Sequence, residues 1–358
     1  MSDFIDDLCK RVELAARNNT QLRPVGGGTK NFYGGPLQGE EVDMRQWAGI
    51  VEYEPTELVI TVKPGTLLAE VEAALAAQKQ ELAFEPPRLD TGGTIGGAIA
   101  SGLAGPARLS KGGVKDYVLG CTLLDGKGQL LHFGGVVMKN VAGYDVARVI
   151  PGSMGTLGIA TELSIKVMPV APAEATLQFE MNVNKAISQS NEWLSKPLPI
   201  SATFFDNGKL TVRLRGASAA VQAALKNMGG QEMETQQATT FWISVRDQQH
   251  EFFTREGDLW RLAVPPTTVD LAMHGESVHE WGSGLRWFRA DSSTTAEQIR
   301  AVAKRVGGHA TLYRTSNESA RVQAFQQPDA VMLKLQRRLK EQFDPAGVFS
   351  INRLSPIL

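Results

Sequence analysis

The chain has 358 residues, 42% of them hydrophobic and 21% charged, with 37 Lys and Arg against 38 Asp and Glu. That length exceeds one core of typical size, so about two domains are expected, and the composition excludes disorder and collagen-like repeats. A net charge of −1, divided as −3 over the first 170 residues and +2 over the rest, leaves no cationic excess for a phosphodiester backbone, so nucleic acid is excluded as a partner.

In chain order, Phe4, Leu8, Val12 and Ala15 recur every three to four residues and predict a helix that Asn18-Asn19 ends. Asp3, Asp6 and Asp7 make the start too acidic for a signal or transit peptide, and a cytoplasmic protein is expected. A strand over 21–25 runs into Gly26-Gly27-Gly28. Strands over 50–53 and 58–62 follow, then a Pro64-Gly65 turn and a helix opened by Thr66 with Leu68, Val71 and Leu75 on one side. The longest uncharged run, Thr91 to Ala107, is too short and too rich in glycine to span a bilayer, so no direct membrane span is expected. Strands over 119–124 and 129–133 form a hairpin across Asp125-Gly126-Lys127-Gly128, and 157–167 is another strand. Pro169 and Pro172 then break the pattern, placing a domain boundary there.

The second half alternates with period two around Asn207-Gly208, a hairpin signal, followed by a helix from Ser218 to Met228. Strands over 259–264 and 285–288 precede a capping box Thr294-x-x-Glu297, a helix, and a strand from His309 to Arg314. This order predicts an α+β domain with helices against an antiparallel sheet. A last helix covers 330–343. Cys9 and Cys121 are isolated, which excludes a disulfide framework, zinc and iron–sulfur ligation.

Of 36 glycines, 25 fall in the first 170 residues. They concentrate in Gly26-Gly27-Gly28-Thr29-Lys30-Asn31, Gly92-Gly93-Thr94-Ile95-Gly96-Gly97 and Gly152-Ser153-Met154-Gly155-Thr156-Leu157-Gly158-Ile159. Residues without Cβ let backbone N–H groups converge on an anion and let the chain approach a flat ring, so a phosphate-bearing cofactor is expected. No stretch fits Gly-x-Gly-x-x-Gly or a P-loop, and Pro151 replaces the glycine of a nucleophile elbow.

These three segments, with Lys139-Asn140-Val141-Ala142-Gly143-Tyr144-Asp145 and Gly307-Gly308-His309-Ala310-Thr311, resemble the FAD-linked oxidases of the vanillyl-alcohol oxidase type, and within them the FAD-binding subunits of glycolate oxidase. The resemblance implies a PCMH-type two-subdomain FAD-binding domain over 1–172, an α+β cap over 173–328, and a helix and tail over 329–358 returning to the FAD domain. It implies Gly26, Gly27, Gly28, Thr29, Lys30, Asn31, Gly92, Gly93, Thr94, Gly96 and Gly97 around the phosphates. Asn140, Gly143, Gly152, Thr156, Gly158 and Ile159 are implied near the rings. Related chains tether FAD through His or Cys near these loops; Thr29 and Lys30 stand here instead, so non-covalent FAD is expected. The tail, Ser350-Ile351-Asn352-Arg353, departs from the Asn-Pro-Gly common in relatives.

The implied reaction oxidises glycolate, a small 2-hydroxy acid, to glyoxylate by hydride transfer to flavin. It needs a cation for the carboxylate and a base for the hydroxyl proton. Arg286 and Arg314 are candidates for the first and His309 for the second; no His-x-His pair exists and no metal is expected. Electrons must leave the flavin, and the resemblance implies a complex with a larger flavoprotein subunit and an iron–sulfur subunit, peripheral on the inner face of the membrane. The alternative is a non-catalytic flavin-fold partner, structural or relaying electrons, whose sister subunit holds the active site.

Overall fold

The computed structural model describes residues 3–135, 145–291, 293–350 and 352–355. The chain forms two compact units, one of Met1–Leu103, Gly113–Pro169 and Glu318–Leu358, the other of Ala104–Gly112 and Val170–Asn317. The division falls at Pro169 and Asn317, whereas the sequence places its boundaries at 172 and 328, so the segment from Glu318 belongs to the first unit rather than to the cap. The excursion Ala104–Gly112 into the second unit carries no compositional signal of its own.

In the first unit the helix Asp3–Asn18 buries Ile5, Leu8, Val12 and Ala15, the stripe its spacing dictates. Leu8, Val12 and Ala15 share a core with Leu22 and Val42 of a parallel strand pair, Leu22–Val25 with Glu40–Asp43, and with Val348 and Phe349 near the other end of the chain. A five-stranded antiparallel sheet runs in the order Ile50–Glu54, Val59–Val62, Ile159–Lys166, Val118–Leu124, Leu130–Gly134. Every pairing in this sheet is antiparallel. The helix Leu68–Ala77 starts after Leu67 and has no side-chain cap. Thr66 is unavailable to cap it because its one hydroxyl proton goes to the Lys63 carbonyl at 2.7 Å, with Gly49 O 3.1 Å away, and its oxygen accepts from Gly49 N at 2.8 Å.

The second unit is an eight-stranded antiparallel sheet in the order Gln231–Glu232, Ala173–Glu180, Lys209–Gly216, Ile200–Asp206, Gly275–Glu280, Leu285–Ala290, Leu259–Ala263, His309–Arg314. Asn207 and Gly208 take φ of 43° and 77°, the two positive values of a tight two-residue hairpin turn. Both faces of Ile200–Asp206 are buried: Ala202 and Phe204 on one, Ser201, Thr203 and Phe205 on the other. The capping box sits one residue later than the sequence suggests, at Thr295 and Gln298. Thr294 is instead committed to Asp291 and the carbonyl of His274. Trp281 and Trp287 are buried, stacked beside Arg261, so both serve the core of this unit.

Candidate functional site: a glycine-walled crevice

The parallel strand Leu22–Val25 delivers the chain into the first glycine segment. There a Cβ on Gly26 would strike the Thr94 side chain, and one on Gly27 would strike the carbonyl of Gly92. Gly28 takes φ +69° and its carbonyl accepts from Asn31 N at 3.0 Å, which closes the turn. The second segment ends in the helix Ile95–Ser101, where Thr94 accepts from Gly97 N at 3.2 Å as its N-cap. The third is bonded to the far end of that helix: Gly152 N donates to Ile99 O at 3.1 Å and Met154 N to Ala100 O at 2.9 Å. Three segments far apart in sequence are therefore one wall.

That wall lines two contiguous compartments that are open to solvent. An apolar one of about 590 Å³ is lined by Val25, Met44, Ile99, Ile150, Ile159 and Leu163 together with Gly96 and Gly158. A polar one of about 600 Å³ is lined by Gly26 to Asn31, Ser350 and Arg353. Thr94 and Gly97 border both. Gly92 and Gly93 stand behind the wall, the first against Gly27 and the second accepting from Leu68 N at 2.8 Å. Gly152 and Thr156 face a separate hollow beside Lys340. Asn140, Gly143 and Lys139 lie outside the described residues.

Arg23, Lys30 and Arg353 line the polar compartment, and no Asp or Glu does. Arg23 pairs with Glu41, while its buried Nε has no partner among the described residues. Arg353 donates to the carbonyls of Gly35 and Tyr33; burial first, then the charges of Arg321 and Arg23, push its pKa down to about 10. Arg321, also buried, donates to the carbonyls of Gly34, Asn31 and Gly35. Sequence reasoning missed both arginines, because each reaches the loop over about 290 to 320 positions of chain. The altered tail nevertheless returns to this unit: Leu22 N donates to Val348 O at 2.7 Å and Ser350 N to Leu22 O at 3.1 Å.

In the second unit His309, Arg286 and Arg314 are not brought together. Arg286 pairs in register with Leu262 and His309 with Ala263, so alternation turns them to opposite faces of the sheet. Arg314 is at the other end of the His309 strand and donates to Phe253 O and Gln248 Oε1, each at 3.1 Å. Arg286 is buried and donates to the carbonyls of Ser283, Val269 and Thr268. His309 is exposed as a residue, yet desolvation of its ring and the charge of Arg261 lower its pKa. The cross-strand neighbour of Arg286 is His279, a buried histidine that sequence reasoning passed over; the alternation Ser277-x-His279 was its only trace.

A family described as FAD binding domain matches residues 4–134. Glycolate oxidase subunit GlcE of Escherichia coli is 41% identical over 352 residues, covering 98% of this chain and 97% of the relative. The chain belongs to the GlcE family of FAD-linked oxidase subunits. Glycolate oxidase subunit GlcD of Bacillus subtilis is 30% identical over 212 residues, 58% of this chain and 45% of GlcD. Among solved structures, a xylooligosaccharide oxidase from Myceliophthora thermophila superposes with a TM-score of 0.65 at 16% identity, covering 99% of this chain and 90% of the oxidase. An alkyldihydroxyacetonephosphate synthase gives 0.66 at 15% identity, covering 96% and 73%. Those two show the fold alone, a PCMH-type FAD-binding domain with a mixed α+β partner.

The crevice fits FAD, the cofactor of this GlcE family. Three cations border the polar compartment, a charge balance suited to a pyrophosphate, and the amides of Gly27, Gly28 and Thr29 have no partner among the described residues. The adjoining apolar walls suit a flat ring. Neither compartment is lined by His or Cys. Buried Cys121 has its thiol pushed up to about 12 by desolvation and Glu162, far from a reactive thiolate. No helix of the described residues is long and apolar enough to cross a membrane.

Proposed function

We propose that the chain is the FAD-binding subunit of a heteromeric glycolate oxidase, oxidising glycolate to glyoxylate with FAD held non-covalently. The observation that carries this is the match over 98% of the chain to a GlcE subunit, joined to a crevice whose lining suits FAD. FAD bound there supplies a two-electron acceptor. The chain's own residues do the rest. Arg23, Lys30 and Arg353 offset the pyrophosphate charge, the loop amides orient it, and the apolar walls exclude water from the rings. Glycolate gives up two electrons and two protons. With no iron–sulfur cysteine set in the sequence, the electrons pass to an iron–sulfur partner subunit, beside a larger flavoprotein subunit related to GlcD. Association with a membrane is then through the complex.

The second reading is a flavin-fold partner whose sister subunit performs the oxidation. It is favoured by one observation: strand register turns Arg286 and His309 to opposite faces of the sheet and Arg314 lies at the other end of the His309 strand, so the candidate cations and base do not meet at one point. The purified chain decides between them. It should carry FAD that acid precipitation releases into the supernatant, and glycolate should bleach it. A yellow chain that glycolate bleaches only after the sister subunits are added supports the second reading, and a chain without flavin overturns the first reading and leaves the second only in its structural form.

A further inference from the structure

The second unit holds a cavity of about 420 Å³ that none of the foregoing uses. Its floor is one face of the sheet, where Ser277 and His279 alternate along Gly275–Glu280 and Arg286 and Phe288 along Leu285–Ala290, with His279 directly opposite Arg286. Its roof is the segment 270–273, and Arg286 pins the start of that segment through the carbonyls of Thr268 and Val269.

We propose that this cavity binds a small 2-hydroxy monocarboxylate, its carboxylate on Arg286 and its hydroxyl on His279 and Ser277. Three carbonyl contacts occupy three of the five N–H groups of Arg286, so two donors remain on a guanidinium whose orientation is already fixed. Arg286 stays cationic at neutral pH, since burial lowers its pKa only to about 10. His279 is 2% exposed, and its Nδ1 has no partner among the described residues. Its Nε2 reaches only Ser277 Oγ, at 3.5 Å, a weak contact. A buried imidazole with both nitrogens under-used is matched by a ligand hydroxyl, which both donates and accepts. Phe288 and Leu262 leave the rest of the wall apolar, which suits a short carbon chain. Asp270, exposed at the rim, is the one acid among the lining residues and disfavours a second negative charge on the ligand. The site stands on this geometry; only the choice of 2-hydroxy acids rests on the proposed function.

The test is calorimetric titration of the purified full-length chain with glycolate and D-lactate, with acetate and sulfate as comparisons. Glycolate should bind saturably, and acetate, lacking the hydroxyl, about tenfold more weakly. Arg286→Lys and His279→Phe should each weaken glycolate at least about tenfold, whereas Asp270→Asn should tighten it. Circular dichroism confirms that each variant is folded. If Arg286→Lys fails to fold, Ser277→Ala and Asp270→Asn carry the same test from side chains that do not hold the roof segment. Absence of saturable binding to the parent chain, equal affinities in the parent and the floor variants, or weaker binding in Asp270→Asn overturns the proposal. Flavin content of the same samples, read from visible absorbance, tests the proposed function separately.

Discussion

Lys340 Nζ donates to the carbonyl of Thr156 at 2.6 Å, and so the last helix, Ala330–Phe343, holds the third glycine segment. The same ammonium lies 2.5 Å from Asp344 Oδ2 and 2.9 Å from Phe349 O, while Asp344 accepts from the amides of Val348 and Phe349, both at 2.8 Å. One buried ion pair thereby fixes the tail and a wall of the crevice together. Lys340→Met leaves Asp344 buried without its cation and should destabilise the first unit by about 3–5 kcal/mol. Urea unfolding measures this, and adding Asp344→Asn should restore much of the loss.

The close approach of Gly27 to Gly92 makes Gly27→Ala a direct test of the wall. Relieving the collision costs about 1–3 kcal/mol and parts the first two segments. Flavin occupancy of the purified variant should fall about tenfold. Gly216→Ala, whose added Cβ would meet Pro199 at an ordinary 3.5 Å, should keep its flavin and serves as the control.

Charge at the polar compartment predicts a salt-dependent affinity. Arg23→Gln and Lys30→Ala should each weaken FAD about tenfold in a fluorescence-quenching titration of the flavin-free chain. The losses should shrink as ionic strength rises.

His279 makes the second unit acid-sensitive. Burial and the charge of Arg286 lower its pKa from 6.5 to about 3, so between these values the unfolded chain binds a proton that the folded chain refuses. Stability due to this residue is present above pH 6.5 and falls as pH drops, by about 1.4 kcal/mol per unit. Urea midpoints measured from pH 7.5 down to about 4.5 should decline less steeply for His279→Asn than for the parent chain. Parallel slopes would count against a buried neutral imidazole.

Much of the first unit was legible because its signals are local. The helix stripe Leu8, Val12, Ala15 and the 125–128 turn declare themselves within a dozen residues, and the glycine segments announce close backbone approach. What was hidden is long-range or cooperative. Nothing near Arg321 or Arg353 says that their guanidinium groups close around residues 31–35. Thr66 and Thr294 have the chemistry of helix caps, and only the tertiary partners that claim their hydroxyls show why neither serves as one. In the second unit, Arg286 and His309 were grouped by residue type, whereas strand register decides which face each takes.

The first unit is discontinuous, and its hydrophobic core joins the helix Asp3–Asn18 to Val348 and Phe349. A ribosome must translate past Phe349, and so through Val170–Asn317 of the second unit, before that core can close. Ser350 and Arg353, which complete the polar compartment, leave the exit tunnel after the second unit has emerged. Any ligand that needs the closing wall of the crevice is thus taken up only after Arg353 has emerged, and a chain cut short before Ser350 would lack that wall of the polar compartment.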